Sequence, residues 1–257
     1  MDRLINFKDY IISRGVLVTE LHMANMSEVD KRYNKIKISC DDVHKFISSL
    51  NEFHRKAMGY DNYMIEKLPN RTGVLFEQYK ILYRKVYRFI EELKKNGAED
   101  CCQEMLLKEG VEVLVRANEA LEHNVFNNYL SILRRSMERV EICIGHSKFE
   151  NIMGNDPVMV MDISECGYDV IETDLIKFIV RVKRKNINMD WKSVVNEFIE
   201  CEELDQNSRM YIESCLSYPY EFMRNCLRYF QGKKNWSPER YRDKLQRAII
   251  QDGDSII

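Results

Sequence analysis

Apolar residues recur every three or four positions along most of the chain, which is the period of an amphipathic helix. Between Asp41, which can cap a helix, and Gly59, which can end one, the spaced positions are Val43, Phe46, Ile47, Leu50, Phe53, His54 and Ala57. The same period predicts helices over residues 72–95, 100–122, 125–138, 173–184, 191–202, 206–217, 220–231 and 238–250, and a short helix or extended segment over 4–14. Only 10 Gly and 4 Pro interrupt this pattern, so we expect a mainly α protein.

Short β-branched runs interrupt the helical pattern at two places. Val16-Leu17-Val18-Thr19-Glu20 follows Gly15 and suits a strand, and polar residues 21–40 are predicted to form a linker. Residues 140–145 and 158–162 are also β-like, and the loop 146–157 between them contains the turn formers Gly-Asn-Asp-Pro. We interpret these two runs as a hairpin-like element set among helices.

Composition narrows the class of protein. The 257 residues are 45% hydrophobic and 31% charged, with 39 basic and 41 acidic side chains, which is typical of a soluble globular protein with one large domain or two small ones. A net charge of −2 predicts no nucleic-acid partner. No uncharged apolar run approaches the roughly 18 residues of a membrane span, and no secretory signal is expected at the start. The eight cysteines form no C-x-x-C pair, which argues against a zinc ribbon.

Chemistry-bearing residues concentrate between positions 142 and 175. The segment begins Ile142-Cys-Ile-Gly-His-Ser-Lys-Phe-Glu-Asn151, continues to a strand that ends in Met161-Asp162, and reaches Tyr168-Asp169 and then Thr173-Asp174-Leu175. This order resembles the catalytic region of the aminoglycoside-phosphotransferase-like kinases, and within them the CotS-like spore coat family. In that family Cys-His-Gly-Asp-Phe leads, five residues after the Asp, to an Asn. A strand then ends in Ile-Asp-Phe-Asp, and a Tyr-Asp pair precedes an Asp-Leu helix.

Three other stretches carry the same resemblance, which spans about residues 15–250. Residues 16–20 are similar to the family's hinge strand and put Glu20 at the nucleotide-binding hinge. Residues 53–60 are similar to its Phe-His-x-Ala-x-Gly-Tyr helix end, and the stretch from Pro219 to Trp236-Ser237 is similar to its tail. The resemblance implies a kinase-like, aminoglycoside-phosphotransferase-like C-terminal lobe. We expect a hinge strand and linker over 1–40, a helical lobe over 41–250 with a small remnant sheet at 16–20 and 140–162, and a flexible tail over 251–257.

The resemblance also implies roles for individual residues. In such kinases the loop Asp is the general base, while the Asn and the strand-end Asp hold magnesium. Asn151 and Asp162 occupy the two metal positions, and Asp174 resembles the Asp that braces the catalytic loop. In a gapless register the base position falls on His146; a register with a two-residue deletion puts it on Lys148 instead. Neither register places a carboxylate there.

Each of these residues also has a simpler interpretation. Asn151 and Asp162 can serve as hydrogen-bonding staples of the loop, and an Asp in a first helical turn, such as Asp174, is favoured by the helix macrodipole alone. His146 can be a neutral base near pH 7 or a structural loop residue. His54 is expected to pack at its helix end rather than to bind a metal.

Only 15 residues precede Val16, and they contain no glycine-rich loop, so we expect most of the N-terminal lobe to be missing. Asp162 and Asn151 alone should hold magnesium weakly. The chain is therefore predicted to be a pseudokinase-like spore coat protein that acts by binding or assembly during sporulation, with no cofactor; ATP and magnesium would be bound only if activity remained. The alternatives are a small-molecule or protein kinase that borrows its missing lobe from a partner, and a decayed gene product.

The resemblance further implies a location and a contact surface. The expected location is the mother-cell cytoplasm or the spore coat. The expected partners are coat proteins or a second copy of the chain, bound through an apolar cleft and hinge face formed by Val16, Leu17, Val18, Met23, Met26, Met159 and Met161. Alternatively, the N-terminal segment 4–12 folds back over this face.

Overall fold

The computed structural model describes residues 5–19, 38–62, 64–126, 129–185, 187 and 189–257. Within them the chain forms ten helices and five short strands. The helices are α1 (Phe7–Ser13), α2 (Cys40–Ala57), α3 (Val74–Asn96), α4 (Cys101–Phe126), α5 (Tyr129–Arg139), α6 (Glu172–Lys183), α7 (Trp191–Cys201), α8 (Gln206–Ser217), α9 (Tyr220–Phe230) and α10 (Pro238–Asp252). The strands are β1 (Leu17–Val18), β2 (Ile142–Cys143), β3 (Ile152–Met153), β4 (Met159–Val160) and β5 (Gly167–Tyr168).

Local sequence signals account for the helices, and the predicted helices are confirmed. The N-cap of α2 is Ser39, which forms a reciprocal capping box with Asp42, and not Asp41 as predicted. Ser237 with Pro238 starts α10. The last helix runs two residues beyond its predicted end at 250. It does so because the buried Asp252 carboxylate accepts hydrogen bonds from the backbone N–H groups of Glu221 and Phe222, each at 2.9 Å. The predicted tail therefore begins later than residue 251.

The strands pair differently from the prediction. Strands β2 and β4 do not form a hairpin with each other: β2 pairs antiparallel with β5, whereas β4 lies between β1 and β3 in a separate sheet. The hairpin partner of β4 is β3, which lies inside the predicted loop 146–157. Strands of two residues are too short to show an alternating pattern, so the sequence did not reveal β3 or β5.

The remnant sheet itself is present, because β1 runs parallel to β4 with Leu17 opposite Met159 and Val18 opposite Val160. The prediction of which residues form an exposed apolar face is nevertheless partly wrong. Val16 is completely buried and cannot contribute to it, while Leu17 is 46% exposed. Met23 and Met26 lie outside the described residues. The hinge residue Glu20 also lies outside them.

The chain divides into two compact units. The first takes its described residues from Met1–Gly73, Leu130–Phe178 and Met189–Arg209. Its core contains Phe46, which stacks on Phe178 with ring centroids 3.9 Å apart. Helix α1 joins this core through the buried Phe7 and Ile11, and Phe7 meets Tyr60 edge to face. Both sheets and the whole motif region from 142 to 174 belong to this unit.

The second unit takes its described residues from Val74–Tyr129, Ile179–Asn188 and Met210–Ile257. It is built mainly from α3, α4, α9 and α10, and Tyr79 of α3 stacks on Tyr218 in its core. As predicted, no helix in the described part of the chain is long and apolar enough to cross a membrane.

Candidate functional site

The loop that connects β2 to β3 is closed by the side chain of Asn151. This amide is almost completely buried; its Nδ2 donates to the carbonyl oxygens of His146, at 3.1 Å, and Asp162, at 3.0 Å. Its Oδ1 accepts the backbone N–H of Asp162 at 2.7 Å. Asn151 therefore joins the loop to the end of β4 and places His146 and Asp162 next to each other.

His146 and Asp162 form a partly exposed pair. The Nδ1 atom of His146 lies 3.2 Å from Oδ2 of Asp162, and their side chains are 39% and 19% exposed. The other carboxylate oxygen accepts the backbone N–H of Ser164 at 2.8 Å. Burial alone would raise the pKa of Asp162, but hydrogen bonds from Ser164 and His146 outweigh burial and lower it. The carboxylate is therefore ionised at neutral pH and orients the imidazole ring.

The carboxylate of Asp174 forms hydrogen bonds to the same loop from its buried side. It lies in the first turn of α6, and its carboxylate accepts the backbone N–H groups of Ile144 at 2.7 Å and Gly145 at 3.1 Å. It also accepts the hydroxyl of Ser147 at 2.6 Å. The residues on both sides of His146 are thus tied to one carboxylate, which limits the movement of the loop between them.

Gly145 has to be a glycine for two reasons. Its φ of 72° lies in the left-handed region, and a Cβ atom there would collide with the carbonyl oxygen of Glu165. Glu165 is itself held, because the guanidinium of Arg71 donates to its carboxylate at 2.7 Å and also to its carbonyl oxygen. The segment after Asp162 is consequently fastened beside the loop.

His54 completes the support of Asp174. It is fully buried at the end of α2, with Nε2 3.1 Å from Asp174 and Nδ1 2.7 Å from Glu202. Burial would lower the pKa of His54, but Glu202 and Asp174 outweigh it and raise the pKa to about 10. Burial would likewise raise the pKa of Asp174, and the hydrogen bond from His54 is the main reason why it is lowered instead. A protonated imidazole therefore lies between two carboxylates.

The sequence prediction of this site was incomplete. His146, Asn151 and Asp162 come together, and Asp174 holds the loop from the other side. The Phe-His pair at the end of α2 singles out His54, but the sequence predicts only a packing role for this residue. Nothing indicated Glu202, because it lies 148 residues from His54 in the chain.

The loop residues do not fit magnesium well. This ion prefers several oxygen ligands in octahedral geometry, but the Asn151 oxygen is used by the backbone and Asp162 is shared between His146 and Ser164. A second set of donor atoms, from His54, Cys143 and Asp174, lies within 4.8 Å of one another. Both nitrogens of His54 are already hydrogen-bonded there, and all three residues are buried. Neither group of residues therefore fits a metal ion well.

Comparison with known proteins establishes the class of fold. No family model matches the chain, and no curated protein matches it. Among solved structures, the chain is similar to an aminoglycoside phosphotransferase from Alicyclobacillus acidocaldarius subsp. acidocaldarius DSM 446, with a TM-score of 0.65 and 15% sequence identity. The similarity covers 81% of this chain and 61% of that protein, so the chain spans less than two thirds of its length.

At 15% identity this similarity establishes the fold and not an activity. The predicted fold class is confirmed: the chain is mainly helical with small sheets and has an aminoglycoside-phosphotransferase-like, kinase-like fold. Membership of the CotS-like spore coat family remains a prediction from the sequence motifs.

Proposed function

We propose that this chain is a kinase-like protein that acts by binding and does not transfer phosphate. The observation that carries the proposal is the pair of His146 and Asp162. In the gapless register His146 takes the place of the general base, and Asp162 takes the place of the metal-binding carboxylate. Their 3.2 Å contact links the two positions to each other instead of leaving them for substrate and metal.

The energetic consequences support this proposal. Loss of the usual base costs about 10²–10⁴ in rate. The amide oxygen of Asn151 already accepts the Asp162 backbone N–H at 2.7 Å, so one of its two lone pairs is occupied. Magnesium in phosphoryl transfer relies on protein carboxylates together with the phosphates of the nucleotide. A site with one shared carboxylate therefore binds a metal–nucleotide complex weakly.

The test is a transfer assay with the purified chain, γ-labelled ATP, magnesium or manganese, and candidate acceptors. We expect no transfer above a heat-inactivated control. His146→Asp should not create activity either, because the Asn151 side chain keeps its hydrogen bonds to the backbone of residues 146 and 162. Transfer that is lost in Asp162→Ala and retained in Asp243→Ala, a control at an exposed carboxylate, would refute the proposal.

The finer proposal places this binding role in the spore coat, with the protein made in the mother-cell cytoplasm during sporulation. Its support is the sequence resemblance of residues 53–60, 142–151 and 168–175 to the CotS-like family. Coat proteins or a second copy of the chain are the proposed partners. A fluorescent fusion followed through sporulation should accumulate at the forming coat, whereas uniform fluorescence in the mother cell at every stage would contradict this assignment.

One observation favours a second candidate function, that of a phosphotransferase whose phosphate-binding lobe comes from a partner chain. Asp162 holds His146 through Nδ1, and the ring is 39% exposed, so Nε2 can accept a proton from a substrate hydroxyl. ATP and magnesium would be the cofactors of this alternative. Activity that appears only when a purified partner is added, and that is lost in His146→Ala, would establish it.

A further inference from the structure

A cavity of about 320 Å³ lies beside the first half of α2.

 It lies between residues 149–154 on one side and Ile38 and α2 on the other, within the first unit. We call it the α2 pocket; its walls are formed mainly by Phe46, Phe149, Ile152 and Met153, with Asp42 and Lys45 contributing charged groups. Its volume is at the lower end of the roughly 300–1,000 Å³ that small-molecule sites occupy.

The apolar walls combine a rigid part and an adaptable part. Phe46 and Ile152 are each 2% exposed, and Phe46 meets Phe149 edge to face with ring centroids 5.4 Å apart. Met153 is 37% exposed, and an unbranched thioether side chain adjusts readily to a ligand. Such walls suit a small aromatic or aliphatic group.

The two charged residues of the pocket are not equivalent. The Asp42 carboxylate is already used, because its Oδ2 accepts the backbone N–H and the hydroxyl of Ser39 at 2.9 and 2.7 Å. These hydrogen bonds, and to a smaller extent the nearby charge of Lys45, lower the pKa of Asp42. The ammonium of Lys45, in contrast, forms no hydrogen bond or ion pair within the described part of the chain. The Lys45 ammonium therefore has N–H donors left for a ligand, whereas Oδ2 of Asp42 is already occupied.

We propose that the α2 pocket binds a small amphipathic monoanion, with its apolar body between Phe46, Phe149 and Met153 and its carboxylate at Lys45. A nucleotide is a poor candidate, because several phosphate charges would meet a single lysine. The proposal deepens the proposed binding function by naming a ligand class. Phe149 belongs to the same loop as His146 and Asn151, so the ligand would contact that loop directly.

The experiment compares three probes with the same body, 4-phenylbutyrate, 4-phenylbutanol and 4-phenylbutylamine, by isothermal titration calorimetry and by chemical-shift mapping. We expect the carboxylate to bind best and the amine worst. Lys45→Met should weaken only the carboxylate, by about fivefold or less, because partly exposed ion pairs are worth little. Lys56→Met is the matched control, since Lys56 lies on the same helix but does not line the pocket. Met153→Asp should weaken the carboxylate probe more than the alcohol.

Equal affinity for the three probes, a carboxylate preference that survives Lys45→Met, or shifts that map away from α2 and residues 149–154 would each overturn the proposal. Absence of binding of all three at millimolar concentration would overturn it as well. None of these outcomes bears on phosphate transfer, which the labelled-ATP assay tests separately. A failure of the pocket proposal is therefore distinguishable from a failure of the proposed function.

Discussion

Two aspartates hold the same loop in different ways. Asp174 is completely buried and accepts hydrogen bonds from Ile144, Gly145, Ser147 and His54. The Asp162 side chain is 19% exposed and bonded to His146 and Ser164. A buried carboxylate is tolerated only when it is paired and fully hydrogen-bonded, whereas an accessible one can exchange its partners for water. Asp174 is therefore a structural residue of the loop, whereas the carboxylate of Asp162 is accessible to solvent.

The contrast extends to the histidines that accompany the two carboxylates. His54 is shared between Asp174 and Glu202 without access to water, and its pKa is raised to about 10. His146 has one carboxylate partner and a ring that is 39% exposed. The buried pair therefore supports the loop from inside the protein, whereas the ring of His146 stays accessible to solvent.

The largest expected effect comes from Asp174→Asn. The substitution removes one of the two charges that balance His54 and weakens four hydrogen bonds, so we expect a loss of about 3–5 kcal/mol in the free energy of unfolding. Urea denaturation followed by circular dichroism measures it. Asp162→Asn is the matched control, with an expected loss of about 1 kcal/mol or less, because water can replace its partners. Equal losses in the two variants would show that the comparison is wrong.

The next effect concerns Glu202. Glu202→Gln keeps the shape of the side chain but removes one of the charges that hold His54 protonated, and we expect a loss of about 1.5–3 kcal/mol. Glu203→Gln alters the exposed neighbour and should change the free energy of unfolding by less than about 0.5 kcal/mol. If the two variants are equally stable, the Glu202 carboxylate does not contribute to the stabilisation of protonated His54.

Asn151→Ala tests the staple between the loop and β4. It leaves the Asp162 backbone N–H and two carbonyl oxygens without their partner, which should cost about 1–3 kcal/mol. Hydrogen exchange of the Asp162 amide should become faster than in the parent protein, while exchange of the Ile144 amide, held by Asp174, should change little. Unchanged exchange at Asp162 would remove the staple interpretation.

The last prediction is a pH dependence that separates the two histidines. Because the folded pKa of His54, about 10, is above its ordinary value near 6.5, its contribution to stability is complete below about pH 6.5 and is lost as pH rises through 10. The slope from this group is at most about 1.4 kcal/mol per pH unit. Burial raises the pKa of Cys143 and Cys166 well above the ordinary value, so these neighbouring thiols stay neutral at pH 7–8.

Urea denaturation at several pH values measures this slope. In Glu202→Gln the decline should be complete at a lower pH, because the folded pKa of His54 falls when one carboxylate partner is lost. His146→Gln should leave the decline above pH 7 unchanged. A profile that His146→Gln alters and Glu202→Gln does not would assign the pH dependence to the exposed pair instead of the buried cluster.

The sequence by itself determined the helices, since the apolar period and the Ser237-Pro238 start are local signals. It also located the segment from 142 to 174 through the spacing of Gly145, Asn151, Asp162 and Asp174. Only the tertiary structure decided which two-residue strands pair, that His54 lies between Asp174 and Glu202, and that Lys45 faces an apolar cavity. These features depend on contacts between residues far apart in the chain, and such contacts leave no periodic pattern in the sequence.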